Sequence, residues 1–276
     1  MSQCSYELRN ADDNLIYQCK ESTHDKSDLC ILHVPLPEND DDYKRINDLK
    51  NAEVDAKLKD GDFNFKGAKL ANFAPSVSSI DGELFFDDAS IERIDLPRVT
   101  IKGSVRFRKA TIGVLIFSEA MIEGKVDFSK AKIGEAYFNK AIIGGGADFS
   151  EAMIEHTIWF FEATIGDAYF NKAIIGGGVD FGLATIKGKV DFSEATIGNA
   201  DFSKATIEKF ADFRLATIDG SVYFSKATIG DAYFSGATIK QFADFKKAMI
   251  RDTDFEKAMS EGKVDFSKAT IGMLIF

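Results

Sequence analysis

The chain is short of the residues that most catalytic centres need. Only three histidines occur, His24, His33 and His156. His156, in "IEHTIWF", has no Ser or Cys placed to act with it as a nucleophile. The glycines of "IIGGGADF" are not followed by the GK[ST] that a phosphate-cradling loop requires. No run of about 18 apolar residues is present, which excludes a transmembrane helix. The first residues, "MSQCSYELRNADDNL", have neither a basic start nor an apolar stretch, so they do not read as a signal peptide. A cytoplasmic, reducing location is expected, with no membrane attachment. The three cysteines, Cys4, Cys19 and Cys30, are an odd and clustered set, unlike a disulfide framework. Positive charge is also lacking: the net charge is −10, so no direct nucleic-acid binding is expected. These absences point away from an enzyme.

What is abundant is Phe, with 25 copies. From Phe128 to Phe276 a Phe recurs every 10 or 11 residues. Ala follows each of them by three positions up to Phe266, and Ile follows that Ala by two, except at Ser260. An apolar residue therefore falls every five or six positions, with a small residue two before it. Neither the helical period of 3.6 nor the strand period of 2 accounts for this spacing. Positions −2 and 0 face one way, as in a strand, and the next pair starts after a corner. Four such corners close a square.

A chain of this kind resembles the pentapeptide-repeat proteins. The resemblance spans roughly residues 63–276 and rests on units such as "KVDF", "NADF" and "KATI". It implies an all-β fold, a right-handed four-sided β-helix, with Phe181 and Val179, or Ile197 and Ala195, pointing inward. The central positions advance by 5, 5, 5 and 6, which sets about ten coils of 21 residues. The extra residue falls in "IEGKVDF", "IKGKVDF", "IDGSVYF" and "SEGKVDF", where Gly is expected to supply positive φ at a corner. The stretches Ala136–Ile154 and Ala168–Ile186 are near-copies 32 residues apart, or about one and a half coils. A stackable wall tolerates such copying.

Outside the square, Asp dominates before Phe (Asp127, Asp148, Asp180, Asp191, Asp201, Asp212) and Thr before Ile (Thr164, Thr185, Thr196, Thr206, Thr217, Thr228). Both read as exposed ladders. Tyr137, Trp159 and Phe161 break the pattern and form a candidate interaction patch for a protein partner. The family includes gyrase-binding DNA mimics, which implies a second reading as a topoisomerase-binding protein. Residues 61–276 hold 26 Lys and Arg against 30 Asp and Glu, a net of −4, and this near balance weakens that reading. The Thr column raises a weaker one, an ice-binding wall.

The chain divides into residues 1–37, 38–60 and the solenoid at 61–276. In the first part Cys4, Cys19, Cys30 and His33 form a candidate structural zinc set, with "CILH" as its C-x₂-H half and His24 as a substitute ligand. The second part reads as a charged helix with an apolar stripe of Ile46, Leu49, Val54 and Leu58, expected to cover the first coil. The last residues, "KATIGMLIF", place Met273, Leu274, Ile275 and Phe276 on an apolar edge, where a homodimer contact is expected. Taken together, the sequence points to a non-catalytic protein-interaction or scaffolding solenoid.

Overall fold

Phe, Ala and Ile repeat because each is used at the same place in every coil. The computed structural model describes residues 2–9 and 13–276. From residue 63 onward short strands pair in parallel with strands one coil further on. Examples are Met121 with Ile142, Asp127 with Asp148, and Tyr137 with Trp159. Two large parallel sheets result, each wrapping one corner of the square. Partners lie 21 residues apart in most coils. The spacing is 22 where two successive Ile-to-Phe corners both carry the inserted residue, as between Ile142 and Thr164. The alternation of long and short corners also accounts for the 32-residue copying unit.

Phe forms two internal ladders. Phe107 and Phe128 stack with centroids 4.8 Å apart at 3°, and Phe213 and Phe234 at 5.0 Å and 1°. The ladders meet in the centre edge to face, as Phe170 and Phe181 do at 6.1 Å and 84°. Parallel stacking along the axis and T-shaped contact across it are both favoured by ring quadrupoles. The −2 position beside the rings is filled mostly by small side chains such as Ala136, Ala147 and Val190, and by Leu84, Leu115 and Ile158 in other coils, all of them buried.

Each Phe is followed by a tight turn. The Ala131 N–H donates to Phe128 O (2.9 Å), and the residue before that Ala, Lys130, has φ +61°. The same left-handed residue recurs as Glu119, Lys140, Glu151, Leu183, Lys204 and Leu215. Positive φ in residues with a side chain therefore belongs to these turns within the solenoid, and among the corner glycines Gly146 and Gly178 take it. The glycines expected to supply it, Gly124, Gly188, Gly220 and Gly262, do not adopt it. They are needed for a different reason, because corner backbones stack too closely for a Cβ. One added to Gly124 would lie 2.7 Å from the Gly103 carbonyl carbon.

The outward Asp residues are also more than a ladder. Asp148, Asp180 and Asp201 accept through Oδ1 from the N–H two residues on, in Ser150, Gly182 and Ser203 (3.0, 2.7 and 2.7 Å). Each fixes the entry to a Phe turn, as Asp side chains do in Asx turns. Asp127 and Asp212 are buried, covered by Arg108 and Arg214.

Before the solenoid, β1 (Glu7–Arg9) and β2 (Leu15–Gln18) form an antiparallel pair. Helix α1 (Asp40–Lys59) follows. Asn39 caps it by accepting from Asp42 N–H (3.0 Å), with Asp40–Asp42 in the first turn and Lys57 and Lys59 in the last. That charge order suits the helix dipole. Its buried face is Ile46, Lys50, Val54 and Lys57. Leu49, expected on that face, is exposed, and Lys50 takes the inward place because carbonyls wait for its ammonium there. Val54 joins the same core as Phe65, Leu70 and Phe73 of the first coil, the last two lying on β3 (Lys69–Phe73).

Candidate metal centre and outer edge

Cys4 and Cys19 are 15 positions apart in sequence but flank the β1–β2 pair, which brings them together. The Cys4 N–H donates to Glu21 O and the Cys19 N–H to Tyr6 O, both 2.9 Å. Cys30 and His33 come from one turn, closed by the His33 N–H donating to Cys30 O at 3.0 Å. The four ligand atoms lie within 4.8 Å of one another, and all four residues are buried. His24, the substitute ligand, stands apart with Nε2 3.2 Å from the Asp25 carboxylate.

The spacing fits a tetrahedral ion. Zinc with Zn–S near 2.3 Å and Zn–N near 2.0 Å sets S···S edges of about 3.8 Å and S···N edges of about 3.5 Å. Cys19 Sγ and Cys30 Sγ are 3.8 Å apart. His33 Nδ1 is 3.4 Å from Cys4 Sγ and 3.1 Å from Cys30 Sγ. The other imidazole nitrogen settles the tautomer. His33 Nε2–H donates to Lys66 O at 2.8 Å, and a carbonyl only accepts, so Nδ1 turns a lone pair to the thiols. Such an outer hydrogen bond orients a metal-ligating His. Tyr6 stacks on the ring at 3.9 Å. Cys30 shares its proton with Cys19, and this hydrogen bond pulls the Cys19 pKa well below that of an ordinary thiol. The cluster can therefore hold a metal ion.

Two contacts, neither visible in the sequence pattern, join this cluster to the rest. Lys50 Nζ donates to Ile31 O (2.7 Å), Leu32 O (3.3 Å) and Val34 O (2.8 Å), which uses every proton of the ammonium. Burial pulls its pKa down to about 8. The Lys69 N–H donates to Leu32 O (2.8 Å), so the Cys30–His33 turn is hydrogen-bonded to the first solenoid strand. A lysine among carbonyls leaves no periodic mark. Only its misfit within the apolar stripe of α1 signals it.

On the outer wall the rings of Tyr137 and Trp159 stack at 4.6 Å and 4°, in strand register one coil apart. Tyr137 Oη donates to Glu135 Oε2 (2.7 Å). Phe161 lies at the next turn and is exposed, with its ring over Gly182. Far along the solenoid, Met273, Leu274 and Ile275 of the strand Thr270–Ile275 and the following Phe276 are all exposed. That strand pairs only with the one before it among the described residues. No catalytic constellation occurs at either place.

A family model described as pentapeptide repeats (9 copies) matches residues 170–214 and 209–249. No curated protein matches the chain.

Proposed function

The chain belongs to the pentapeptide-repeat family and forms its β-solenoid; on that premise we propose that it is a non-catalytic scaffold holding a protein partner on its outer edge. The observation that carries this reading is the Tyr137–Trp159 stack with Phe161 beside it. The position before Phe is Asp in most coils, where it serves the turn, and Tyr169, Tyr223 and Tyr233 stand there singly between Asp neighbours; Tyr137 and Trp159 are stacked on each other one coil apart. Two large rings stacked on the wall, with a third exposed at the turn that follows, match the aromatic anchors on which interfaces depend. Affinity capture from the native host tests this. A partner retained by the wild type and lost with Trp159→Ala or Phe161→Ser supports it. A partner held equally by all three proteins removes the patch from the function.

Within the same reading the Cys4–Cys19–Cys30–His33 cluster takes one structural zinc. All protein ligand positions are then filled, so the ion closes the N-terminal segment and has no open position for substrate. The exposed edge at Leu274 and Phe276 is assigned to a second copy of the chain. Light scattering reads this as twice the chain mass, falling to the monomer with Leu274→Glu, and a wild-type monomer removes it. The DNA-mimic alternative requires inhibition or protection in a gyrase supercoiling assay. The near-balanced charge of residues 61–276 argues against it.

A further inference from the structure

One edge of the solenoid changes its charge pattern halfway along, and we propose that the C-terminal half of this edge binds an acidic polypeptide segment. The proposal rests on the scaffold reading above and gives its partner a chemistry. The edge is the rank of left-handed turn residues Arg98, Glu119, Lys140, Glu162, Leu183, Lys204, Lys226, Lys247 and Lys268, with φ between +57° and +61°. Backbone bonds stack them in register. Lys204 N–H donates to Ser225 O (2.9 Å), Lys226 N–H to Lys246 O (2.9 Å) and Lys247 N–H to Ser267 O (3.0 Å), each time the residue just before the next lysine.

In the first half the signs alternate and pair, Arg98 with Glu119 at 3.1 Å and Lys140 with Glu162 at 3.7 Å. In the second half four lysines follow one another, with Lys246 beside them. All five are exposed, and among the described residues none has an ion-pair partner. The repeat does not impose this run. The equivalent rank on the other Phe edge pairs Lys130 with Glu151 and Lys172 with Glu194, then continues with Leu215 and Gly236. Composition does not impose it either, because acids exceed bases by ten in the whole chain. Like charges stacked directly opposite one another destabilise a sheet. A run of four that folding does not need points to an anion from outside.

The geometry selects the kind of anion. Directly beneath these turns the rings of Phe202, Phe224, Phe245 and Phe266 stack at 5.0, 5.3 and 4.9 Å. The lysine rank therefore spans about 15 Å, the length of four to five residues of extended peptide. Ser203, Ser225 and Ser267 stand next to the lysines. On the adjoining wall Asp201, Asp244 and Asp265 are fixed by the N–H groups of Ser203, Lys246 and Ser267 (2.7, 2.8 and 2.8 Å). That acidic rank, together with the net charge of −10, repels the broad phosphate surface of a nucleic acid or an anionic bilayer. A single acidic strand meets only the lysines. Toward the N-terminus the same edge presents exposed Leu183 and Phe161, so the occupant carries apolar residues beside its acidic run.

Fluorescence anisotropy on the full chain tests this with a labelled oligoglutamate of about ten residues. The expected result is binding that weakens as salt rises from about 50 to about 200 mM, with none to the oligoglutamine counterpart. Replacing Lys204, Lys226, Lys247 and Lys268 together by Gln should weaken it at least about tenfold. Lys130→Gln with Lys172→Gln, which removes paired lysines, should change it less than about twofold. Matching thermal midpoints for the two variants show that both remain folded. No oligoglutamate binding at low salt, equal loss in both variants, or tighter binding of oligothymidylate or of phosphatidylserine vesicles overturns the proposal. Any of these outcomes leaves the aromatic patch standing, since the Trp159→Ala capture reads it separately.

Discussion

At every Phe turn a residue with a side chain occupies a backbone conformation that glycine adopts with least strain. An L-residue in the left-handed region is disfavoured by roughly 1–2 kcal/mol. The chain accepts this repeatedly, and Gly236 shows that the backbone does not require otherwise. Leu215 has φ +59° and is largely exposed, so its side chain contributes little packing. Leu215→Gly should therefore stabilise the protein by about 0.5–1 kcal/mol after the extra chain entropy of glycine is subtracted. Leu215→Ala should not, because alanine keeps the Cβ. Denaturant midpoints separate the two, and a Gly variant no more stable than the Ala variant contradicts the account. Asp127 makes the second case at this scale. Burial pushes its pKa up, but hydrogen bonds from Ser129 and the Arg108 guanidinium outweigh this and hold the carboxyl below its usual range. A depressed carboxylate stabilises the fold fully above the unfolded value near 4, and that contribution is lost as pH falls below it. Wild type should thus lose more stability than Asp127→Asn between about pH 5 and pH 3; equal losses count against it. The inward Phe and Ile were legible in the sequence because burial demands one residue type at a fixed interval. The turn residues were not, because Lys, Glu and Leu in a left-handed turn share no composition signal.

Strands of two residues cannot stand alone, and in this chain the ladder is the stabilising unit. Most ladder Phe rings are stacked above and below and edge-on across the axis, so removing one breaks contacts in three coils. Phe181 touches Phe160 and Phe202 along its ladder and Phe170 across it. Phe181→Ala should cost about 3–5 kcal/mol through the cavity it leaves. Asp180→Ala removes only the bond to the Gly182 N–H and should cost about 1 kcal/mol. Comparable losses for the two would reverse the assignment of inside and outside. At this scale the corners are only partly legible in the sequence. Glycine marks them in the sequence, but the reason is the closeness of the next coil, which a single chain segment does not reveal. Helix α1 shows a related limit. Its stripe follows from periodicity, yet Lys50 takes the inward place of Leu49 because its ammonium satisfies three carbonyls of another segment.

A solenoid is held together by neighbours, so a disturbance at one end should spread only a few coils. The N-terminal segment is tied to the first coil at His33 with Lys66, Leu32 with Lys69, and Val54 within the shared core. Both hydrogen bonds come from the turn that carries Cys30 and His33, so the metal cluster and the docking of the segment form one unit. Four ligands could be named from the sequence, since Cys and His in one short segment are conspicuous. Their closing by the β1–β2 pair was not legible, because Cys4 and Cys19 meet only after that pair has formed. Protein prepared without chelator should carry about one zinc per chain. Removing it with a strong chelator should speed hydrogen exchange in residues 4–34 and in the first coil around Phe65–Phe73. Exchange in residues 185–240 should be unchanged, because several coils lie between. If exchange rises equally along the whole solenoid, the protein is one cooperative unit and the end-local account fails. If it rises nowhere while zinc is lost, the thiols and His33 do not hold the segment on the coil. The local response has a physical cause: His33 is the one ligand whose second nitrogen grips the solenoid, so losing the metal frees the ring on both sides.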